Sequence, residues 1–515
     1  MNGIELEILW SNLISIVSEQ AKSLQRIAFS PIVREAGDLA SALFDARGRM
    51  VAQANTGTPG HINSLAAAGG YLHTRFKDQL EEGDVIITND PWISAGHFFD
   101  ITLLQPIMNK GRLIGYIGST IHHTDIGGYG IGAGARDVHE EGLWIPPLKF
   151  FAAGVPDKAI HDIIRSNVRT PDHVFGDLAA QVASGKSGGE QLLSMCNRYG
   201  LNDIEQLSDE IIRRSEESTR AEIRKLPAGT YLGESEFDVP GGEVITLKAA
   251  VTIDNVKGEV LIDFAGSSGA SASGINVVMN YTHAYSTFAI RSCLNPDLPN
   301  NHGSLAPILV TAPKGSIVNC VYPSPVNARH VVGMYVPMPI LKALHHVIPD
   351  RVLAEGAGAV WTMQIQGKRG DGLPFTSSMF NYSGGMGARK TKPGPDATCY
   401  PTGVGAVPVE ILEAAIPIIF EEKELRIGSG GKGRQRGGDG QIIKFRIQTP
   451  YPWLLNAVPS RLTKGPEGLD GGEPGAAGHF TVNGKPISEA RKISLQPNDV
   501  VVLETPGGGG FGKAI

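Results

Sequence analysis

The sequence predicts an α+β protein in which helices and glycine-rich β-hairpins mix along a multi-lobed single chain. Helical and strand-like patterns follow one another without the regular strand–helix–strand order that builds a parallel sheet. The 65 glycines cluster in loops that strand-like segments flank closely, which indicates tight turns rather than flexible linkers. The 515 residues exceed what one ordinary core takes up, so we expect two to four domains.

The first elements alternate between helix and hairpin. Residues 5–28 predict a helix, because apolar residues recur on one helical face. The stretch "SALFDARGRMVAQ" predicts a β-hairpin that turns at Asp45–Gly48, and residues 62–81 predict a second helix. "GDVIITNDP" is typical of a short strand closed by a turn. A longer hairpin follows, with "ITLLQPIM" and "LIGYIGSTI" as its strands and "NKGR" as its loop.

The rest of the chain separates into a helical and a glycine-rich part. Residues 170–225 have a helical pattern, strands return with "GEVITLKAAVTI" and "GEVLIDFAGSS", and further helices are predicted at 332–348 and 409–424. Residues 426–515 predict glycine-punctuated β structure. We therefore divide the chain into an α+β domain over 1–165, a helical segment over 166–225 and a glycine-rich α+β domain over 226–515.

Composition excludes several classes of protein. The net charge of −6 argues against nucleic acid as a partner. The four cysteines have no paired spacing, which suits a reducing compartment rather than a disulfide framework. The chain begins with "MNGIELEILW", which lacks the positive charge of a signal peptide, and no apolar run approaches the ~20 residues that cross a bilayer. We expect a soluble cytoplasmic protein with no membrane partner.

Side chains that can bind metal gather in two stretches. "AGHFFDITLLQP" contains His97 and Asp100, and "STIHHTDIGG" contains His122, His123 and Asp125. With "NKGR" as the hairpin loop, the numbers of paired residues sum to about 221–223, so both stretches meet at one open end of the hairpin. A slip of one residue turns every side chain to the other face. Register alone therefore leaves open whether His122 or His123 shares a face with Asp100.

This convergence favours a metal site over a merely hydrogen-bonded hairpin end. Imidazole and carboxylate groups without thiolates suit zinc, manganese or iron. Three protein ligands leave an open position for water, which a divalent ion acidifies strongly.

Motifs along the chain then resemble one known family. "REAGDLASALFDARGRMVAQ", "GDVIITNDPWISAGHFFDITLLQP", "STIHHTDIGG", "EEGLWIPPLK", "GSGGKGRQRGGDG", "GGEPGAAG" and "TPGGGGFG" occur in the order found in the hydantoinase B/oxoprolinase family. The resemblance covers nearly the whole chain. It implies that one divalent metal, zinc or manganese, is held by Asp38, His97, Asp100 and His122.

The same resemblance suggests candidate catalytic residues. With His122 as a ligand, His123 and Asp125 become candidates for contacts with the metal ligands or with the substrate. In "EEGLWIPP", Glu141 or Glu140 could act as a general base, and the alternative is a strand end whose acids face water. We take His123, Asp125 and Glu141 as the candidate catalytic set.

The family also implies a partner chain. "GSGGKG" lacks the phosphate-loop spacing, so ATP with magnesium should be bound elsewhere. The resemblance implies an actin-like ATPase subunit of the A type (hydantoinase A/oxoprolinase) that phosphorylates a small-molecule substrate. We expect the glycine-rich loops to pack against this partner, because glycine permits close backbone approach.

Three functions remain open from the sequence. The first is the B-type subunit of an ATP-dependent hydrolase that opens a cyclic amide such as a hydantoin, 5-oxoproline or a lactam, where a metal-activated water attacks the phosphorylated substrate. The second keeps the complex but carboxylates a ketone, as acetone and acetophenone carboxylases do. The third is a non-catalytic scaffold that docks the ATPase subunit.

Overall fold

The computed structural model describes residues 2–55, 57–358, 360–488 and 491–514. The helices are α1 Gly3–Ile27, α2 Pro31–Arg34, α3 Pro59–Phe76, α4 Lys158–Asn167, α5 Pro171–Tyr199, α6 Glu205–Arg224, α7 Met279–Leu294, α8 His302–Leu305, α9 His330–Gly333, α10 Pro337–His345 and α11 Val409–Ala415. The strands are β1 Leu39–Asp45, β2 Met50–Gln53, β3 Val85–Thr88, β4 Asp100–Asn109, β5 Arg112–His122, β6 Leu148–Ala152, β7 Val155–Pro156, β8 Gly229–Asp238, β9 Val244–Asp254, β10 Glu259–Asp263, β11 Ile308–Thr311, β12 Val360–Lys368, β13 Pro374–Ser383, β14 Ile418–Arg426, β15 Gly440–Ile447, β16 Trp453–Ala457, β17 His479–Val482, β18 Lys485–Pro486, β19 Ile493–Leu495 and β20 Val500–Glu504.

Helices and antiparallel hairpins share the chain, which confirms the α+β prediction. The largest sheet has the order β2-β1-β5-β4-β3-β6-β7. The smaller sheets have the orders β11-β10-β9-β8, β13-β12-β16-β19 and β14-β15-β20-β17-β18. Within the described part of the chain, no helix combines the length and the apolar character needed to span a bilayer.

The largest sheet is covered on both faces, and its strands show why. Alternate residues of a strand point to opposite faces. In β1, Ala40 and Phe44 join the cluster that α3 covers, whereas Leu39 and Leu43 join the main core with α1 and α5. The main core continues from α1 to β20 as one apolar cluster. The predicted domain boundaries at 165 and 225 remain a prediction.

Two sequence predictions differ from the structure. The helix predicted over 409–424 is half right, because α11 ends at Ala415 and the second half forms β14. Helix α7 was not predicted, because residues on all its sides are buried and it has no polar face for periodicity to detect. The hairpin register was predicted correctly: Asp100 pairs with His122, whose numbers sum to 222.

The glycine-rich loops pack on one another inside the chain. Gly431 N donates to Gly508 O at 2.8 Å, Gly508 N donates to Gly438 O at 2.9 Å, and Gly438 N donates to Met386 O at 2.8 Å. A Cβ at Gly508 would lie 2.1 Å from Met386 O, which no real side chain tolerates. The close approach expected at a partner therefore occurs between segments of the same chain.

This packing predicts a large difference between two glycine substitutions. Gly508→Ala is expected to lower the free energy of unfolding by more than about 3 kcal/mol, because backbone atoms on both sides must move. Gly370→Ala is the matched control, since a Cβ there meets nothing within 4 Å. Thermal unfolding of both variants measures the difference. Equal midpoints would contradict the proposed reason for the glycines.

Candidate metal centre

The candidate ligands reach one place because of how three strands pair. Asp100 is the first residue of β4 and pairs with His122, the last residue of β5, so the two side chains share the face that α3 covers. Strand β1 pairs with β5 on its other side, and His122 N donates to Asp38 O at 3.2 Å. The turn before β4 supplies His97, three residues ahead of Asp100.

Asp100 lies at the centre of this cluster. Its Oδ1 is 3.0 Å from His122 Nδ1 and 2.9 Å from His97 Nε2. Its Oδ2 accepts from His61 Nε2 at 2.8 Å and from the Arg329 guanidinium. His97, Asp100 and His122 offer ligand atoms that all lie within 4.8 Å of one another, and all three residues are buried. Asp38 joins through its Oδ1, which lies 3.4 Å from His61 Nδ1.

The contact between His97 and Asp100 has a geometry that a shared cation could bridge. His97 Nδ1 donates to Asn327 O at 2.8 Å, so the neutral ring has its lone pair on Nε2. Burial, followed by the charge of Arg329, lowers the pKa of His97 to about 4, which keeps the ring neutral near pH 7. A lone pair and a carboxylate oxygen thus face each other at 2.9 Å without hydrogen-bond geometry. A shared cation turns this repulsive approach into two bonds.

Two more buried atoms of the cluster have no hydrogen bond among the described residues. Asp38 Oδ1 and His61 Nδ1 face each other at 3.4 Å as an ion pair without hydrogen-bond geometry. Both residues line a cavity of about 40 Å³ together with His97, His122 and Arg329. Buried polar atoms without hydrogen bonds are costly, and their convergence on one cavity fits an ion and its bound water. The nitrogen and oxygen donors suit a divalent zinc or manganese ion.

The charges around Asp100 keep it ready to bind. Burial acts to raise the pKa of Asp100, but the positive charges of His61 and Arg329 act against it, and that pKa lies well below its ordinary value. For His61, burial acts to lower the pKa, but Asp100 and Asp38 outweigh it, so the pKa is raised. The carboxylate therefore stays charged at the centre of the cluster.

The structure places the candidate catalytic residues away from the cavity. His123 lies on the opposite face of the sheet, where Asp177 and Gln181 of α5 are its neighbours. Asp125 accepts from Arg169 Nη1 at 2.8 Å and from Thr170 N at 3.2 Å, which anchors the start of α5.

Glu141 is buried beneath His97 rather than beside the cavity. Its Oε1 accepts from Val326 N at 2.7 Å and from Asn327 N at 2.8 Å, and Asn327 in turn accepts from His97. Burial raises the pKa of Glu141 well above its ordinary value. Glu140 faces solvent and pairs with Arg136 at 2.6 Å.

Sequence reasoning missed His61 and Arg329. His61 is a lone histidine on the third residue of α3, and Arg329 directly precedes α9. Neither stands beside another ligand-type residue of the hairpin. The glycine at position 96 is a weak indication of a close neighbour. In the structure Gly96 has a φ of +89°, and a Cβ there would lie 2.7 Å from Arg329 Cδ.

Replacing His122 and replacing His123 are expected to have different effects on metal content. His122→Ala is expected to strip the metal, whereas His123→Ala should keep it and lose about 1–3 kcal/mol of stability through the hole beside α5. Elemental analysis and thermal unfolding of both purified variants measure this. Equal metal contents in the two variants would contradict the assignment of His122.

Comparisons with known proteins agree over the whole chain. The sequence profile described as "Hydantoinase B/oxoprolinase" matches residues 2–514. The B-type subunit of a putative D-/L-hydantoinase from Pseudomonas sp. (strain NS671) is 29% identical over 544 residues, which cover 100% of this chain and 90% of that protein.

Two solved structures share the fold. The ATP-dependent caprolactamase of Pseudomonas jessenii aligns over 100% of this chain and 91% of its own, with a TM-score of 0.90 and 24% identity. Nucleotide-free acetone carboxylase aligns over 99% of this chain and 75% of its own, with a TM-score of 0.89 and 20% identity. At these identities the likeness concerns the fold alone.

Proposed function

The chain belongs to the hydantoinase B/oxoprolinase family, and from this membership we propose that it is the B-type subunit of an ATP-dependent cyclic amide hydrolase. Its substrates would be hydantoins, 5-oxoproline or lactams. The observation that supports the proposal is the buried cluster of His97, Asp100 and His122, whose ligand atoms lie within 4.8 Å of one another, with His97 Nε2 2.9 Å from Asp100 Oδ1. A scaffold that only docked a partner would not need this buried arrangement.

Four residues of the chain would hold the divalent ion, namely Asp38, His97, Asp100 and His122. When bound, a divalent ion supplies hydroxide near neutral pH. The protein's own groups prepare the site for it. Arg329 and His61 bind the second oxygen of Asp100 and hold it in place, and Asn327 fixes the ring of His97 with Nε2 towards the cavity.

An A-type subunit with an actin-like ATPase fold would supply the energy. It would bind ATP with magnesium and phosphorylate the amide oxygen, which removes the resonance that makes cyclic amides inert. The segment "GSGGKG" of this chain does not have phosphate-loop spacing. Its glycines form hydrogen bonds with the segment "TPGGGG" instead. Cys196, Cys293 and Cys320 form no disulfide bond, which fits a cytoplasmic complex.

Carboxylation of a ketone remains the alternative function. The fold likeness to acetone carboxylase is nearly as close as that to caprolactamase, with TM-scores of 0.89 and 0.90, so the fold does not separate the two reactions. Relatives named as a hydantoinase subunit and a caprolactamase subunit match the whole chain in sequence at 29% and 28% identity, which favours hydrolysis.

Reconstitution with a co-expressed A-type subunit tests the proposal. The complex should open at least one of hydantoin, 5-oxoproline or a lactam and form ADP in step with product. Acetone and acetophenone with bicarbonate are included in the same panel. ATP-dependent carboxylation without ring opening would replace the proposal by the alternative function. Full activity of a metal-free complex would leave only the scaffold.

A further inference from the structure

The metal cavity has a larger neighbour. The cavity holds about 40 Å³, which is too small for a cyclic amide, whereas the pocket beside it holds about 570 Å³, the size of many small-molecule sites. Thr402 lines both spaces. Gly57 and Pro59 line the pocket, while Thr58 between them lines the cavity. The two spaces therefore adjoin along Thr402 and residues 57–59.

Helix α7 runs along both spaces. Tyr281 and Tyr285 line the metal cavity, and Phe288 and Arg291 line the pocket further along the same helix. At a rise of 1.5 Å per residue, Arg291 lies about 9 Å beyond Tyr285 along the helix axis. A ligand that contacts Arg291 thus extends along α7 towards the metal cavity.

Arg291 is a partly buried cation with neutral partners. Its Nη1 donates to Asn300 Oδ1 at 2.9 Å, and its Nη2 donates to Leu298 O. No carboxylate among the described residues forms an ion pair with it, and its Nε is buried without a hydrogen bond. Burial lowers the pKa of Arg291 to about 10, so the side chain still carries its charge near pH 7. Buried charges are normally paired, and this one has unused donors on the wall of a pocket.

A network of amides holds the guanidinium in position. Asn300 Oδ1 accepts from Arg291, and Asn300 Nδ2 donates to Asn63 Oδ1 and to Gln53 Oε1, each at 2.7 Å. Asn63 also donates to Thr287 Oγ1 of α7 at 2.9 Å. Because these side chains fix each other, Arg291 is preorganised and a ligand need not order it.

We propose that this pocket, lined by Arg291, Asn63, Asn300 and Thr402, is the substrate site and that Arg291 selects cyclic amides that carry a carboxylate. The inference rests on the proposed function and narrows its substrate class. A planar guanidinium with free donors matches a carboxylate in shape and charge. A neutral lactam offers this cation only a carbonyl oxygen, and it leaves the charge without a counter-charge.

A matched pair of ligands tests the selection. 5-Oxoproline and 2-pyrrolidinone have the same five-membered ring and differ only in the carboxylate. Their affinities for the metal-loaded complex are measured by titration calorimetry without ATP, and ring opening is measured separately with ATP. Arg291→Gln removes the charge, and Arg291→Lys keeps it without the planar fork. Arg351→Gln is the control, because Arg351 donates to Cys293 O at the same end of α7 but does not line the pocket.

We expect the unmodified complex to bind 5-oxoproline more tightly than 2-pyrrolidinone. Arg291→Gln should weaken 5-oxoproline binding by roughly 10- to 100-fold and leave 2-pyrrolidinone unchanged, since a hydrogen bond to a charged group is lost. Arg291→Lys should retain part of the preference, and Arg351→Gln should retain all of it.

The two hypotheses fail in different ways. Equal binding of the two compounds, no binding of either, or an unchanged preference in Arg291→Gln overturns the role of Arg291, whatever the turnover. A complex that shows the preference but opens neither ring with ATP instead overturns the proposed hydrolase function.

Discussion

His97→Ala and Asp100→Ala are each expected to yield a protein without its divalent ion and with ring opening lowered by at least about 100-fold. Each substitution removes one of few ligands, and Asp100 also holds two histidines and Arg329 in place. Elemental analysis and turnover of the reconstituted complex measure both effects.

The two variants differ in what else they disturb. Asp100→Ala leaves Arg329 buried without its carboxylate partner, which costs about 3–5 kcal/mol of stability. His97→Ala removes a neutral ring, so its fold is expected to survive and its metal loss is the cleaner result. Arg136→Ala serves as a control, since that residue pairs with Glu140 at the surface. A folded His97→Ala protein that keeps its metal and its turnover would contradict the site.

Without the A-type subunit or without ATP, the chain is expected to open no cyclic amide above background. The reason is chemical: the amide must first lose its resonance, and the chain has no phosphate-loop motif with which to bind ATP for this step. The interface with the partner should be permanent and should bury more than about 2,000 Å².

Co-expression, sizing and an ATPase assay measure this dependence. Mixing the purified subunits should restore ring opening, and omitting magnesium should abolish it. A single chain that hydrolyses a cyclic amide without ATP would overturn both the hydrolase and the carboxylase functions together.

Local sequence patterns predicted the elements whose structure depends on residues that are close together in the sequence. The hairpin of β4 and β5 has a short loop, so loop length placed Asp100 within one residue of its observed partner His122. Helix α7 and strand β14 depend on surroundings instead. Helix α7 is packed on all sides, so its sequence has no amphipathic pattern. Residues 418–426, which follow α11, form a strand because they pair with β15.

The same limit applies to the site. His97, Asp100 and His122 lie on one hairpin and could be found from spacing, and Asp38 followed from family resemblance. His61 and Arg329 reach Asp100 only because α3 and the segment before α9 dock on the sheet face. The spacing of residues in the sequence does not indicate that these segments pack against the sheet. Register also left His122 and His123 equivalent until the sheet faces were known.

Elemental analysis of the unmodified complex, combined with its turnover, tests the central claim most directly. The cluster of Asp38, His97, Asp100 and His122 predicts close to one zinc or manganese ion for each copy of this chain, and it predicts that removing the ion abolishes ring opening and adding it back restores the activity. A folded complex that contains no divalent ion bound to this chain and opens cyclic amides at the full rate would contradict the account.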